Sequence, residues 1–115
     1  MTGVDDVEFE QGLAVLEHAL DDIAALLGGV GERHWSAWAT RCGIRLRHGL
    51  YSAFPDILGG FGGMGSVNDL VLCDPNGHKV APEDERAVND RLRKLLTTVY
   101  REAKALKATL DQPRR

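Results

Sequence analysis

The sequence has few features that would cross-link a small domain by disulfide bonds or insert it into a membrane. Its two cysteines, Cys42 and Cys73, are too few for a disulfide framework in a chain of 115 residues. No basic start precedes an apolar run, and no apolar run approaches the roughly 20 residues that a membrane helix needs. We therefore expect a cytoplasmic protein with reduced thiols and no membrane contact.

Basic charge is missing from the first quarter of the chain. Residues 1–31 contain no lysine or arginine, but seven acids: Asp5, Asp6, Glu8, Glu10, Glu17, Asp21 and Asp22. Residues 32–50 contain four arginines and a single acid, Glu32. Two interpretations stay open: mild attraction between segments of the same chain, or an acidic face that docks onto a basic partner. The net charge of −3 gives no general attraction to nucleic acid.

Length and composition indicate one domain covering residues 1–115. The chain is 43% hydrophobic and 27% charged, as in ordinary globular proteins, and is long enough to bury a core without a metal or disulfide. Residues 111–115 are expected to form a frayed tail.

Helical periodicity dominates both ends of the sequence. A first helix is predicted from Asp5 to about Gly28, with an aspartate at position 5 or 6 as its cap and left-handed glycine at positions 28–29 as its end. A last helix is predicted from Pro82 to about Leu110. The predicted apolar stripes are Phe9, Leu13, Leu16, Leu20, Ile23 and Leu27 in the first helix, and Val88, Leu92, Leu95, Val99, Ala103, Leu106 and Leu110 in the last.

The middle of the chain predicts shorter elements. One helix is expected from Glu32 to about Arg47, and another over residues 50–58 with a break near Ala53, because Pro55 is tolerated only in a first turn. Residues 69–73 and 78–80 have strand character around an Asp-Pro-Asn-Gly turn. The predicted fold is mainly α: a small antiparallel bundle of three to four helices, with a short β-hairpin near residues 69–80.

Residues 59–66, here called the glycine loop, are the most unusual segment. In one interpretation, successive backbone N–H groups form an anion site, with Gly63, Gly65, Ser66, Asn68 and Asp69 as the ligand-binding residues. In the other, glycine permits a tight crossing against the Trp35/Trp38 face, and the side chains at 68 and 69 hydrogen-bond the loop's own amides. The loop lacks the Gly-Lys-Ser/Thr ending of a Walker phosphate loop.

The segment Phe61-Gly62-Gly63-Met64-Gly65-Ser66-Val67-Asn68-Asp69-Leu70-Val71-Leu72 resembles one in a family of small uncharacterised bacterial proteins. An upstream helix with tryptophan and a downstream Asn-Gly-His turn belong to the same resemblance, here Trp35/Trp38 and residues 76–78. It extends over roughly residues 35–105. The resemblance implies a bacterial source but no activity.

Metal and catalytic sites have weaker support. Possible zinc ligands are Cys42, His48, Cys73 and His78, but their spacing matches no common zinc motif, so we expect no metal or other cofactor. Asp69 and His78 could serve a small hydrolase-like enzyme, although no nucleophile-elbow or zinc-protease motif is present.

The leading functional prediction is therefore a non-catalytic protein-binding domain of the immunity or antitoxin kind, which occludes a bacterial toxin. Its docking acids are predicted to be Glu10, Glu17, Asp21 and Asp22, facing a basic surface. A homodimer is a further alternative, because the stripe of the last helix is long for one small bundle. The runner-up is a small-molecule or anion-binding module that uses the glycine loop, and the third is the hydrolase-like enzyme.

Overall fold

The computed structural model describes residues 3–112, with side chains from Asp6 onward. The chain forms four α-helices: α1 (Gly3–Gly29), α2 (Arg33–Arg47), α3 (Ala53–Gly59) and α4 (Glu85–Asp111). Three 3₁₀ turns lie between α3 and α4, at Val67–Asp69, Asp74–Asn76 and Pro82–Asp84. The predicted mainly helical fold is confirmed, in a molecule measuring 54 × 23 × 21 Å.

α1 supplies one long side of the core. Every residue of its predicted stripe is buried except Phe9, which is partly buried. The predicted N-cap is wrong, because the helix already includes Gly3, and Asp5 and Asp6 therefore lie within it. The predicted left-handed glycine is also displaced. The chain turns through Gly31, whose φ is 83°, and residues 28 and 29 are the last of the helix.

The long helices pack antiparallel, as expected. Asp22 of α1 lies 4.0 Å from Arg91 near the start of α4, whereas Gly12 of α1 packs against Leu106 near the end of α4. α2 also runs antiparallel to α1, because Ser36 donates to the Ala24 carbonyl at 2.8 Å while Arg47 reaches back to Glu17. α1 therefore lies between α2 and α4.

The predictions for α2 and α3 hold closely. Glu32 caps α2 by accepting the Trp35 N–H at 3.2 Å. α3 begins at Ala53, where the break was expected, and this places Pro55 in the first turn, where no backbone donor is needed. Trp38 is buried in the core, and Trp35 is partly buried against it with their rings 5.3 Å apart.

The predicted β-hairpin at residues 69–80 is wrong, since the described residues contain no β-strand. The chain does reverse at Gly77, and the His78 N–H donates to the Cys73 carbonyl at 3.1 Å, but no ladder of such bonds continues between residues 69–73 and 78–80. The Leu72 N–H donates to Asn89 Oδ1 at 2.8 Å, and Asn89 Nδ2 donates to the Leu72 carbonyl at 2.9 Å. The Lys79 N–H donates to the Val30 carbonyl at 2.9 Å. A side chain of α4 and the end of α1 thus replace the missing strand.

α4 closes the fold. Its predicted stripe is buried at Leu92, Val99, Ala103 and Leu106, so most of the surface that suggested a homodimer is covered within the chain. Leu110 remains 43% exposed, and the homodimer stays a prediction. Of the predicted tail 111–115, Asp111 ends the helix and residues 113–115 lie outside the described part. No helix within residues 3–112 is long and apolar enough to cross a bilayer.

Candidate functional site

The glycine loop is held in shape by the side chains that follow it. The Gly62 N–H donates to Asn68 Oδ1 at 3.0 Å, and the Gly65 N–H donates to Asp69 Oδ2 at 3.2 Å. The Ser66 hydroxyl donates to the Gly63 carbonyl at 2.6 Å. The loop therefore carries its own acceptors, and two of the backbone N–H groups that a bound anion would use are already taken by Asn68 and Asp69.

One glycine of the loop is needed for close packing. A Cβ on Gly60 would lie 2.7 Å from Cζ2 of Trp38, which is closer than such contacts occur. The Gly60 carbonyl accepts the Val67 N–H at 2.8 Å, which closes the loop at its base. The structure therefore shows the tight crossing against the tryptophan face that the sequence offered as its second interpretation. At the tip, Met64 is 98% exposed.

A groove of about 700 Å³ separates the glycine loop from α4, and its volume is within the range of ligand sites. Its floor is apolar and is formed by Leu58, Phe61 and Leu96. The Phe61 and Tyr100 rings meet edge to face with centroids 5.1 Å apart. The loop side is completed by Gly62 and Asn68, and the α4 side is polar, lined by Arg93, Thr97, Tyr100, Arg101 and Lys104.

The rim of the groove is cationic. Three of its lining side chains are basic, at Arg93, Arg101 and Lys104, and none of the described residues that line it is acidic. Arg93 and Arg101 have neighbouring acids at 3.5 and 3.4 Å, but both arginine side chains remain about two-thirds exposed. The Lys104 ammonium lies 5.8 Å from the centre of the Tyr100 ring, within cation–π range. The groove therefore offers positive charge beside aromatic surface.

The predicted docking acids of α1 are not equivalent in the structure. Asp21 forms an ion pair with Arg47, whose pKa is raised by this hydrogen bond, and Glu17 lies 3.6 Å from the same guanidinium. Asp22 lies 4.0 Å from Arg91. Glu10 is exposed on the outer face of α1 and has no ion pair among the described residues. The internal attraction that the charge pattern allowed is therefore present at three of the four positions.

The two residues of the enzyme hypothesis, Asp69 and His78, line one small cleft together with Ser66. No hydrogen bond joins any two of these three side chains among the bonds described. His78 Nδ1 accepts the Cys73 N–H at 3.2 Å, so Nε2 carries the proton and donates to Glu32 Oε1 at 3.2 Å. Both ring nitrogens are thus occupied: the Nδ1 bond closes the turn at residues 73–78, and the Nε2 bond joins this turn to the start of α2.

Of the candidate zinc ligands, all among the described residues, only Cys73 and His78 are in direct contact, through a hydrogen bond from the Cys73 backbone. No three His, Cys, Asp or Glu side chains within the described part of the chain are grouped closely enough to hold a metal ion. Cys42 is buried in the core, and this burial raises the pKa of its thiol against the opposing influence of Arg45. Cys73 is a free thiol at intermediate exposure.

Sequence reasoning missed the α4 side of the groove. Arg93, Thr97, Arg101 and Lys104 recur at intervals of four, four and three, which is a helical period and was visible in the sequence. This stripe did not indicate a binding site, because the net charge of the chain is negative and because exposed basic residues on a helix usually mark a solvated face. Only the position of the glycine loop turns this stripe into one wall of a concave site.

Comparison with known proteins gives one match. Residues 28–81 match the model of a family described as a domain of unknown function, DUF6966, from the end of α1 to the turn before α4. No curated protein and no solved structure shows significant similarity to the chain. The match agrees with the resemblance to an uncharacterised family, although it does not test the Gly-Gly-Met-Gly-Ser-x-Asn-Asp-Leu motif itself. Over those residues the chain is similar to a domain of unknown function.

Proposed function

We propose that the protein is a non-catalytic binding domain and that its ligand binds in the groove between the glycine loop and α4. One observation carries this proposal: an apolar and aromatic floor lies beneath a rim with three cations and no acid. Ligand sites typically combine such a concave apolar surface with a few polar groups that set orientation. The expected ligand is therefore an anion with an apolar or aromatic body.

The non-catalytic part of the proposal is supported by the hydrogen bonding of the buried polar groups. Every buried side-chain nitrogen or oxygen in the described residues has a partner. His78, the candidate general base, would have to give up its bond with the Cys73 N–H before Nδ1 could accept a proton. This arrangement is typical of a structural histidine, since a general base needs a nitrogen free to face its substrate.

Binding of a small anionic aromatic probe tests this proposal. The probe is 8-anilinonaphthalene-1-sulfonate, and its uncharged control is N-phenyl-1-naphthylamine, which keeps the aromatic rings and lacks the sulfonate. We expect the sulfonate to bind more tightly, with backbone amide shifts in ¹⁵N NMR spectra confined to residues 58–68 and 93–104. The difference between the two probes should diminish as salt is raised, because the cationic rim is exposed.

Two outcomes contradict the proposal. One is equal binding of the charged and uncharged probes, which would leave the cations without a role. The other is a set of amide shifts centred elsewhere, or no shifts with up to about 1 mM probe, the weak end of specific affinities.

A second candidate is the immunity or antitoxin type of binding, in which a bacterial protein in the cytoplasm occludes a basic toxin domain through α1. It is favoured by the exposure of Glu10 beside Val7, which is 53% exposed. Apolar side chains beside an acid suit a mixed protein interface. Glu17, Asp21 and Asp22 would have to exchange their internal partners for those of the toxin.

A basic peptide, Lys-Leu-Lys-Phe-Lys-Leu-Lys, tests this second candidate. We expect it to shift amides along the first half of α1, and Glu10→Lys should weaken its binding about two- to fivefold, the value of one exposed ion pair. Glu83→Lys, which makes the same charge change at an exposed site at the opposite end of α1 from Glu10, is the matched control. If Glu10→Lys and Glu83→Lys reduce the affinity for the peptide equally, only the net charge of the protein matters, and this second candidate is contradicted.

A further inference from the structure

The cations of the groove form a line along α4. Arg93, Thr97, Arg101 and Lys104 share one face of the helix, because their spacing of four, four and three follows the helical period. From the first to the last of them, the helix rises about 16 Å at 1.5 Å per residue. A compact anion such as a single phosphate could contact only part of this line.

The length of the line sets the size of the segment that can contact all of it. An α-helix would need about 11 residues to span that length. An extended chain, which rises about 3.3 Å per residue, spans the line with about five residues.

We propose that the groove binds an acidic, extended peptide segment of a partner protein. This inference rests on the proposed function and names its ligand. Acids at alternate positions of the segment pair with the guanidinium groups of Arg93 and Arg101 and the ammonium of Lys104. The intervening apolar side chains lie on the floor, beside the rings of Phe61 and Tyr100.

Alternation is the expected pattern because successive side chains of an extended chain point to opposite sides. The groove is similarly two-sided, with cations along α4 and apolar surface below. An acid at every second position therefore meets the cationic line, and an apolar residue at every other position meets the floor. A segment with acids in one continuous block would present half of them to the floor, where an unpaired charge is costly.

Fluorescence anisotropy with a labelled peptide tests the inference. The probe is Glu-Leu-Glu-Phe-Glu-Leu-Glu, and the two controls are its all-glutamine counterpart and Glu-Glu-Glu-Glu-Leu-Phe-Leu, which has the same composition without alternation. We expect the alternating acidic peptide to bind most tightly, and amide shifts in NMR to follow residues 93–104. The variant Arg93→Gln/Arg101→Gln/Lys104→Gln should weaken binding at least about tenfold, as each exposed pair contributes about two- to fivefold.

A matched variant separates local from overall charge. Arg86→Gln/Lys94→Gln/Lys107→Gln also removes three positive charges from α4, but at positions that do not line the groove. We expect it to weaken peptide binding much less than the groove variant does. All six side chains lie on the outside of α4 or are partly exposed, so circular dichroism should show both variants folded.

The possible results separate this inference from the proposed function. If the sulfonate probe binds in the groove but the acidic peptide does not, the peptide inference is wrong and the binding site stands. If the peptide and its non-alternating control bind equally, the extended arrangement is wrong. If neither the sulfonate probe nor the acidic peptide binds, both proposals fail. They also fail if the two triple variants lose the same affinity for the peptide.

Discussion

Replacing Asn89 with leucine tests how the turn segment before α4 is held without a strand partner. Asn89 is 8% exposed, and its amide pairs with both the N–H and the carbonyl of Leu72, as a neighbouring strand would. Leucine has a similar size but no polar atom. It therefore leaves both backbone groups of Leu72 facing an apolar side chain.

The magnitude follows from the two groups left unpaired. An unsatisfied buried donor or acceptor costs about 1–3 kcal/mol. Leucine returns a few tenths of a kcal/mol because it is a better helix former than asparagine. Allowing for partial rescue by water, we expect Asn89→Leu to lower the free energy of unfolding by about 2–4 kcal/mol, and Tm by about 10 °C for a chain of this size.

Thermal and urea unfolding followed by circular dichroism measure the effect. The matched control is Asp90→Leu, which introduces the same residue at the next, exposed position of α4 and should change stability by less than about 1 kcal/mol. Hydrogen exchange adds a local readout, because the Leu72 amide should lose protection in Asn89→Leu. A Tm within about 2 °C of the parent protein, with that amide still protected, would refute the reasoning.

Two further predictions concern the tryptophan crossing and the thiols. Gly60→Ala should lower the free energy of unfolding by about 1–3 kcal/mol, because the added Cβ would lie 2.7 Å from the Trp38 ring. The control Gly59→Ala has open space around the added Cβ and should be neutral or stabilising. Equal urea midpoints for the two variants would contradict this prediction. With a disulfide reagent at pH 8, Cys73 should react in the folded protein and Cys42 only on unfolding, because burial raises the pKa of the Cys42 thiol and blocks access; equal rates would contradict this.

Much of the helical fold was predictable from local sequence. The four-three spacing of apolar residues in α1 identified its buried stripe, and Pro55 located the start of α3 because proline restricts where a helix can begin. The ends of the helices were predicted less accurately than their buried faces. α1 begins before the aspartates chosen as its cap, since acidic residues are favourable anywhere in a first turn and do not fix the boundary.

The hairpin prediction failed for a reason that lies outside the segment. Local preference at residues 69–80 does favour extended chain and a tight reversal, and both are present. Whether extended segments pair with each other depends on which acceptors lie nearby. Asn89, 17 residues from Leu72 in sequence, takes the bonds that a second strand would have made.

The candidate site, like the fold, depends partly on local sequence and partly on long-range packing. The sequence by itself determined the helices, their buried faces and the side chains that close the glycine loop, because each depends on neighbours a few residues apart or on one periodic stripe. Only the tertiary structure decided that three acids of α1 face arginines of α2 and α4, and that the loop stands opposite the cationic face of α4. Those relations join residues tens of positions apart, and a linear pattern does not specify which surfaces a packed core will bring together.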